Sequence, residues 1–356
     1  MRIKIFSKNG GLLRKNNNAV LHSGKAGKND EFYTQLTDIE RELNNYKKHF
    51  INKVVFCNCD DPETSNFYYY FVSRFDELGL KKLITTHFEI DKASYMLEYE
   101  GGADVQGDRE TIVKRAIKLG KKKPLKQNYK QGSQGALFET EPVRSYSGDF
   151  RSPECIELLK QSDIVVTNPP FSLFREYVAQ LMEYKKKFVI IGSKQAITYK
   201  EVYKLIGENK IWVGNTRMGE DMLFDVPKHF AEKLIANKKE GSGYKIVDGV
   251  IKGRSPSIWF TNLDHPKRHE EIVPYKKYSK IDYPKYDNFE AIEVKFIKDI
   301  PYDYDGVIGV PPTFLDKYNP EQFEIIKFRK GDDDKDLSIN GKSTAFRILI
   351  KKREML

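Results

Sequence analysis

Cysteine is scarce in this chain of 356 residues: Cys57, Cys59 and Cys155 are all it has. With the six histidines they show none of the paired spacings of a zinc site. Three thiols do not build a disulfide framework, so the expected compartment is a reducing cytoplasm. No apolar run approaches the ~18 residues that a membrane span needs. The start, Met1-Arg2-Ile3-Lys4-Ile5-Phe6, lacks the apolar stretch of a signal peptide. Acidic residues are outnumbered: Lys and Arg total 61 against 51 Asp and Glu, a net charge of +10. A basic excess favours a polyanionic partner, most simply nucleic acid, although a lysine-rich host proteome would give the same balance. With 39% hydrophobic and 13% aromatic residues the chain is polar yet able to bury a large core, which argues against general disorder.

Residues 1–28 are rich in Lys, Asn and Gly and read as a mobile basic arm. A helix follows, with Thr37 or Asp38 as its N-cap and Ile39, Leu43, Tyr46 and Phe50 as its apolar stripe. Next come a strand over 53–59, an acidic turn from Asp60 and an aromatic helix with Phe67, Tyr70, Phe71 and Phe75, closed by Gly79. Strand, acidic turn and helix make the first half of a nucleotide-type site, where free amides at a helix start hold a carboxylate. After a strand over 82–88, Glu89 or Asp91 is placed to accept ribose hydroxyls, Glu89 lying nearer the strand end. The alternative for both is an ordinary solvated carboxylate.

A strand over 95–100 leads into an insertion, 101–136, with a helix at 110–119 and a basic loop at Lys121-Lys122-Lys123-Pro124. Such a loop can track phosphates or be a solvated charge run. The chain then returns to a strand and turn over 143–150, and Ser152 and Pro153 start a helix over 153–161. Further strands at 187–192 and 210–214, with helices at 174–184 and 198–207 between, predict a parallel sheet with right-handed crossovers. Residues 217–243 read as irregular or partly helical, and 244–251 as strand turned by Asp248-Gly249. Lys252-Gly253-Arg254-Ser255 leads into a strand over 257–263, and 264–356 form a basic, tyrosine-interleaved α+β tail.

The most informative stretch runs Asp163-Ile164-Val165-Val166-Thr167-Asn168-Pro169-Pro170-Phe171. A buried strand ends abruptly in two prolines, which cannot continue a ladder and impose a rigid extended turn. In open α/β sheets ligands bind outside the carboxyl ends of strands. There the Asn168 side-chain oxygen and the Pro169 carbonyl could accept both protons of an exocyclic amine, and Phe171 could stack on the ring that carries it. A proline-rich turn with a core phenylalanine is the plainer alternative.

With that tetrapeptide after a central strand, the chain resembles the S-adenosylmethionine-dependent amino-methyltransferases. More narrowly it resembles the EcoRI-type adenine-specific DNA methyltransferase family. The likeness is carried, in order, by Phe32-Tyr33-Thr34, by Cys57-Asn58-Cys59-Asp60-Asp61-Pro62 through Ser65-Asn66-Phe67, by Gly148 to Glu154, by Trp259 to His265 and by Phe314 to Phe323. It covers roughly 29–350. It implies a Rossmann-like fold, a mostly parallel seven-stranded sheet, with 29–263 as catalytic domain and 264–356 as a DNA-contacting, target-recognition extension. It implies transfer of a methyl group from S-adenosylmethionine to the N6 amine of an adenine flipped out of double-stranded DNA, with no metal. Asn168, Pro169, Pro170 and Phe171 would be catalytic. Tyr33 and Thr34 would meet the methionine part of the cofactor, Asp60 or Asp61 its ammonium, with Pro62 and Phe67 in the same loop. Glu89 would take the ribose, and Asp149 and Phe150 the adenine. The expected enzyme is a monomer whose cognate restriction endonuclease, if any, is a functional partner and not a physical one. One departure stands out: Ser65-Asn66 occupies the place where methyltransferases usually carry Gly-x-Gly. The tetrapeptide alone also suits guanine in RNA, cytosine or protein glutamine, and a non-catalytic nucleic-acid-binding relative would keep the fold; the segments after 255 select DNA adenine.

Overall fold

Alternation along the strands decides the architecture. In the computed structural model, which describes residues 34–87, 94–125, 148–220, 222–226, 228–238, 240, 241 and 243–353, an eight-stranded sheet forms the centre. Its strands are β1 (Val54–Cys57), β2 (Lys82–His87), β3 (Tyr95–Tyr99), β4 (Lys121–Pro124), β5 (Ile164–Thr167), β6 (Lys187–Ser193), β7 (Trp212–Val213) and β11 (Ser257–Thr261), in the order β4-β3-β2-β1-β5-β6-β11-β7. The pairs β1–β2, β1–β5 and β5–β6 are parallel, while β3 and β11 run against their neighbours.

Successive side chains leave opposite faces of a strand. Val55, Cys57, Ile164, Val166, Val189, Ile191 and Trp259 therefore share one apolar cluster. It is covered by the helices α1 (Leu36–Leu43), α2 (Asn66–Ser73) and α3 (Arg109–Leu119). Phe56, Val165, Phe188, Ile190, Ile258 and Phe260 point the other way, into a cluster under α4 (Pro153–Gln161), α5 (Phe174–Glu183) and α6 (Lys200–Gly207). Both faces are buried, which is why these strands read as unbroken apolar runs. Ser152 accepts from the Cys155 amide at 3.2 Å and Pro153 opens α4, as the sequence signals.

Several expectations are corrected. Among the described residues the sheet has eight strands instead of seven. The lysine run 121–124 is an exposed edge strand, paired with β3, instead of a loop. Such an edge needs no apolar face, and lysines there discourage further pairing. Helix α1 is preceded by Gln35 and not capped by Thr37 or Asp38, although Ile39, Leu43, Tyr46 and Phe50 are all buried. The region expected to be irregular or partly helical contains a helix, α7 (Lys228–Asn237), and also an unexpected strand, β8 (Met222–Asp225). Lys252 to Ser255 belongs to a strand, since β9 (Tyr244–Val247) turns into β10 (Val250–Ser255) and a separate sheet forms in the order β8-β10-β9.

Further on, β12 (Ala291–Glu293), β13 (Val307–Val310), β14 (Phe323–Phe328) and β15 (Ile348–Lys352) make a four-stranded sheet in the order β12-β13-β15-β14. Ile308, Val310, Phe328 and Ile350 share one apolar cluster with Ile206 and Phe260, and Tyr203 of α6 stacks on Phe328 at 5.1 Å. No helix among the described residues is long and apolar enough to cross a membrane. The arm at 1–28, Tyr33, Glu89, Asp91 and 126–147 lie outside the described residues.

Candidate active site at the carboxyl edge of the sheet

Strand β1 has β2 on one side and β5 on the other, both parallel to it, so the strand order reverses at β1. A crevice outside the carboxyl ends at such a switch is where open α/β sheets bind ligands. Asp60 follows β1 and Asn168 follows β5, so the fold brings the two sequence-predicted segments to adjoining strand ends.

The acidic turn is locked from below. Asp60, 5% exposed, accepts hydrogen bonds from the Ser65 hydroxyl at 2.8 Å and from the Thr167 hydroxyl at 2.5 Å. Burial raises its carboxyl to about 7, against the opposing pull of these two bonds. Ser65 also caps α2 by accepting from the Phe67 amide at 3.0 Å. The residue standing in a glycine's place is thus the N-cap of the loop's helix and the tether of its acid. Asp61 folds its own turn, accepting from the Glu63 amide at 2.7 Å, and pairs with His87 at the end of β2. The His87 ring stacks on Tyr95. Beneath them Asn58, 2% exposed, takes the Tyr177 hydroxyl on its side-chain oxygen and the Thr86 hydroxyl on its carbonyl, the latter at 2.8 Å.

At the neighbouring strand end Asn168 is 2% exposed. Its amide nitrogen donates to Thr34 Oγ1 at 3.4 Å, and its Oδ1 has no hydrogen-bond partner among the described residues. A buried, unpaired acceptor costs about 1–3 kcal/mol, so such a group points to a donor supplied from outside. Pro170 turns the chain, its carbonyl accepting from the Leu173 amide at 3.0 Å, and Phe171 begins the short helical turn Phe171–Leu173, half-buried against the core. Thr34 is held in turn: its carbonyl accepts from the Asn66 side chain at 2.8 Å.

The third segment sits before α4. Asp149 is clasped by Arg151, whose Nε reaches one carboxylate oxygen at 2.9 Å and whose Nη2 reaches the other at 2.8 Å. Arg151 also bridges to Glu176 at 3.2 Å. Phe150 is 4% exposed and meets Tyr177 edge to face at 4.9 Å. Pro62 is buried in the loop, and the Phe67 side chain packs into the core against Trp259 at 6.0 Å. The structure thus assembles Thr34, Asp60, Asp61, Pro62 and Asn168 to Phe171 around one edge, and places Phe67 below it. Ser65, which the sequence marks only as a glycine replacement, forms the hydrogen-bonded floor together with Asn58, Thr167 and Tyr177, to which sequence reasoning gave no site role. Their position beside the Asp60 and Asn168 motifs was the available signal. Among the described residues no group of three His, Cys, Asp or Glu side chains is arranged to hold a metal ion.

An acidic, hydroxyl-braced loop beside a buried carboxamide with an open acceptor is the layout of an α/β enzyme that presents an amine-bearing substrate to a second ligand. Comparison with known proteins narrows that class. The chain belongs to the family described as adenine-specific methyltransferase EcoRI, whose model matches residues 20–354. It is 48% identical over 351 residues to the type II methyltransferase M.EcoRI of Escherichia coli, covering 97% of this chain and 99% of that one. It is 38% identical over 308 residues to the type II methyltransferase M.MpnI of Mycoplasma pneumoniae, covering 85% and 83% of the two chains. No solved structure matches. The chain is therefore an adenine-specific DNA methyltransferase of the kind found in restriction–modification systems.

Proposed function

We propose that the crevice between β1 and β5 binds S-adenosylmethionine beside an adenine flipped out of duplex DNA, and that Asn168 presents the N6 amine of that base for methylation. The orphan Asn168 Oδ1 carries this reading. An amine donating to it and to the Pro169 carbonyl has both protons engaged, so its nitrogen lone pair leaves conjugation with the ring and takes a defined direction. Phe171, half-buried at the mouth, offers a face for the extruded base to stack on. Pro169 and Pro170 hold these groups without a moving part, which is catalysis by positioning and preorganised acceptors.

The cofactor, when bound, supplies an electrophilic methyl carbon on a sulfonium. The residues present suit such a cation. Burial is the main cause that raises the Asp60 carboxyl, with the neighbouring Asp61 charge adding to it, so a positive group beside it relieves the cost of its ionised form. Asp60 or Asp61 would take the methionine ammonium, with Thr34, Tyr33 and Pro62 beside it and Phe67 supporting the loop. Glu89 would take the ribose, Asp149 the adenine amine and Phe150 its ring. Arg151 already occupies Asp149 Oδ1 twice, with its backbone amide and its Nε, and Oδ2 once, with its Nη2, so Oδ2 keeps a second lone pair for the incoming amine. The Rossmann-like assignment is supported by the parallel run β2-β1-β5-β6. In this reading 29–263 is catalytic, 264–356 contacts DNA, and the enzyme works as a monomer.

The test is transfer of tritiated methyl from S-adenosylmethionine to DNA, with sequencing of the modified strand. Label in N6-methyladenine at one recurring sequence is the expected outcome, and label in cytosine, RNA or protein would overturn the reading.

A further inference from the structure

Between β3 and β4 the chain makes a detour that brings the start of α3 to the catalytic edge. Tyr99, the last residue of β3, lies opposite Leu83 near the start of β2, and Lys121, the first of β4, lies opposite Glu98. Both strand ends are therefore at the amino edge of the sheet, and only Gly120 separates α3 from Lys121. The 11 residues of α3 span about 16 Å, which carries its first residue, Arg109, to the opposite edge. Residues 100–108 make the return, held by the Ala103 amide on the Tyr99 hydroxyl at 3.0 Å and by Arg115 on the Gln106 carbonyl at 2.6 Å. Ile112, Val113 and Ala116 of α3 share one apolar cluster with Phe67, Tyr68 and Phe71 of α2.

Arg109 reaches from there into the acidic loop. Its Nη2 donates to the Thr64 carbonyl at 2.7 Å and to the Ser65 carbonyl at 3.4 Å, and its guanidinium carbon lies 5.7 Å from the centre of the Tyr69 ring. Among the described residues those carbonyls and that ring are the partners of the guanidinium, and its buried Nε has none. Cations are disfavoured at helix N-termini, yet this one stands at two, its own and that of α2. What the placement gains is a hold on the loop. The loop needs one: Asp60 to Asn66 contain no glycine, so side chains must set the shape. Thr167 grips its first residue and Asn66 reaches Thr34 from its last. Between them Glu63 and Thr64 form an exposed crest that burial does not fix, and Arg109 is the side chain that reaches it from α3.

We propose that Arg109 is a positioning residue for the cofactor: by fixing the Thr64 and Ser65 carbonyls it holds the acidic loop in the shape that receives the methionine part of S-adenosylmethionine. This gives the insertion after β3 a task, since α3 is the strut that delivers the guanidinium. Arg109 acts through the loop and touches no reacting atom. A loop ordered before the cofactor arrives spares binding the cost of ordering it. The inference rests on the reading of the crevice between β1 and β5 as the S-adenosylmethionine site.

The experiment uses the full chain and a duplex oligonucleotide carrying its sequenced site. Arg109→Ala keeps a strong helix former at the start of α3. It should raise KM and the calorimetric Kd for S-adenosylmethionine about tenfold, the size of one lost hydrogen bond, and leave kcat at saturating cofactor within about twofold. Deuterium exchange at the amides of 60–66 should be faster in this variant without cofactor and return to the level of the unaltered enzyme at saturating cofactor. Arg109→Lys keeps a donor for the Thr64 carbonyl and should recover most of the KM. Arg109→Met keeps the apolar stem without donors, and carries the same test if the alanine variant does not fold. A merely structural loss would lower the fraction of active enzyme, and so kcat, with KM unmoved. That result, or exchange over 60–66 like that of the unaltered enzyme, would overturn the positioning role. An unaltered enzyme that binds no S-adenosylmethionine would reject the reading of the crevice instead, while exchange over 60–66 still decides whether Arg109 holds the loop.

Discussion

Thr34 Oγ1 accepts the Asn168 amide nitrogen at 3.4 Å, and that contact decides which end of the Asn168 carboxamide is left open. With the nitrogen engaged, the oxygen is the atom without a partner. Asn66 anchors the Thr34 carbonyl, so the glycine-poor loop of one strand end orients the amide at the next. Thr34→Val keeps the shape and removes the acceptor. The turnover number should fall about tenfold, the size of one net hydrogen bond of ~1.4 kcal/mol, and Thr34→Ser should retain most of it. Single-turnover methyl transfer measures both, and a valine variant as fast as the unaltered enzyme would rule out the orienting role.

Removing the acceptor itself has a larger effect. Asn168→Ala should lose ~2–4 kcal/mol of transition-state stabilisation, the range for one preorganised polar group. A rate within a few fold of the original, at saturating DNA and cofactor, would dismiss Asn168 from its assigned place.

Asp60 makes stability depend on pH in a direction opposite to that of a salt-bridged acid. Its folded carboxyl titrates at about 7 and its ordinary value is 3.8, with burial the main cause. Between those values the folded chain binds more protons than the unfolded one, so this group's contribution declines as pH rises from about 4 to about 7 and is flat above. Asp60→Asn removes the titration. Urea midpoints at pH 5 and pH 8 should show the variant gaining on the unaltered protein at the higher pH; a difference independent of pH would contradict the assignment.

Asp149→Ala should raise the dissociation constant for S-adenosylmethionine about tenfold, as expected for a lost hydrogen bond to a charged group of ~1.5 kcal/mol or more. Calorimetric titration reads this directly. Unaltered affinity would remove Asp149 from the cofactor site.

Tyr177→Phe takes the hydroxyl from the buried Asn58 side-chain oxygen beneath the acidic loop. A loss of about 1–3 kcal/mol in denaturant unfolding is expected, because the buried acceptor is left with only the weak Cys59 thiol donor 3.7 Å away. An unchanged unfolding curve would mean that the pair does not support the floor of the site.

Much of the catalytic sheet was legible in the chain itself. The unbroken apolar runs at β1, β5, β6 and β11, bounded by polar and turn residues, are enough to name strands, and the Ser152-Pro153 signal marks the start of α4 within a residue. Short edge elements were not legible. The lysines of β4 carry no apolar signal because an edge strand takes its stability from backbone pairing, and β8 pairs with β10 at a distance of some thirty residues in the chain. Local pattern cannot supply a partner that far away.

The sequence by itself determined the chemistry on offer: a carboxamide between a strand and two prolines, paired aspartates after another strand, and a basic balance suited to DNA. Only the tertiary structure decided which atoms are free to act. Asp60 is committed to Ser65 and Thr167, Asp149 is held by Arg151, and Asn168 keeps one oxygen open because Thr34 takes its nitrogen. Those outcomes depend on contacts between segments far apart in the chain. The energy of a buried polar group is set by the partner the fold brings to it, which its residue type does not specify.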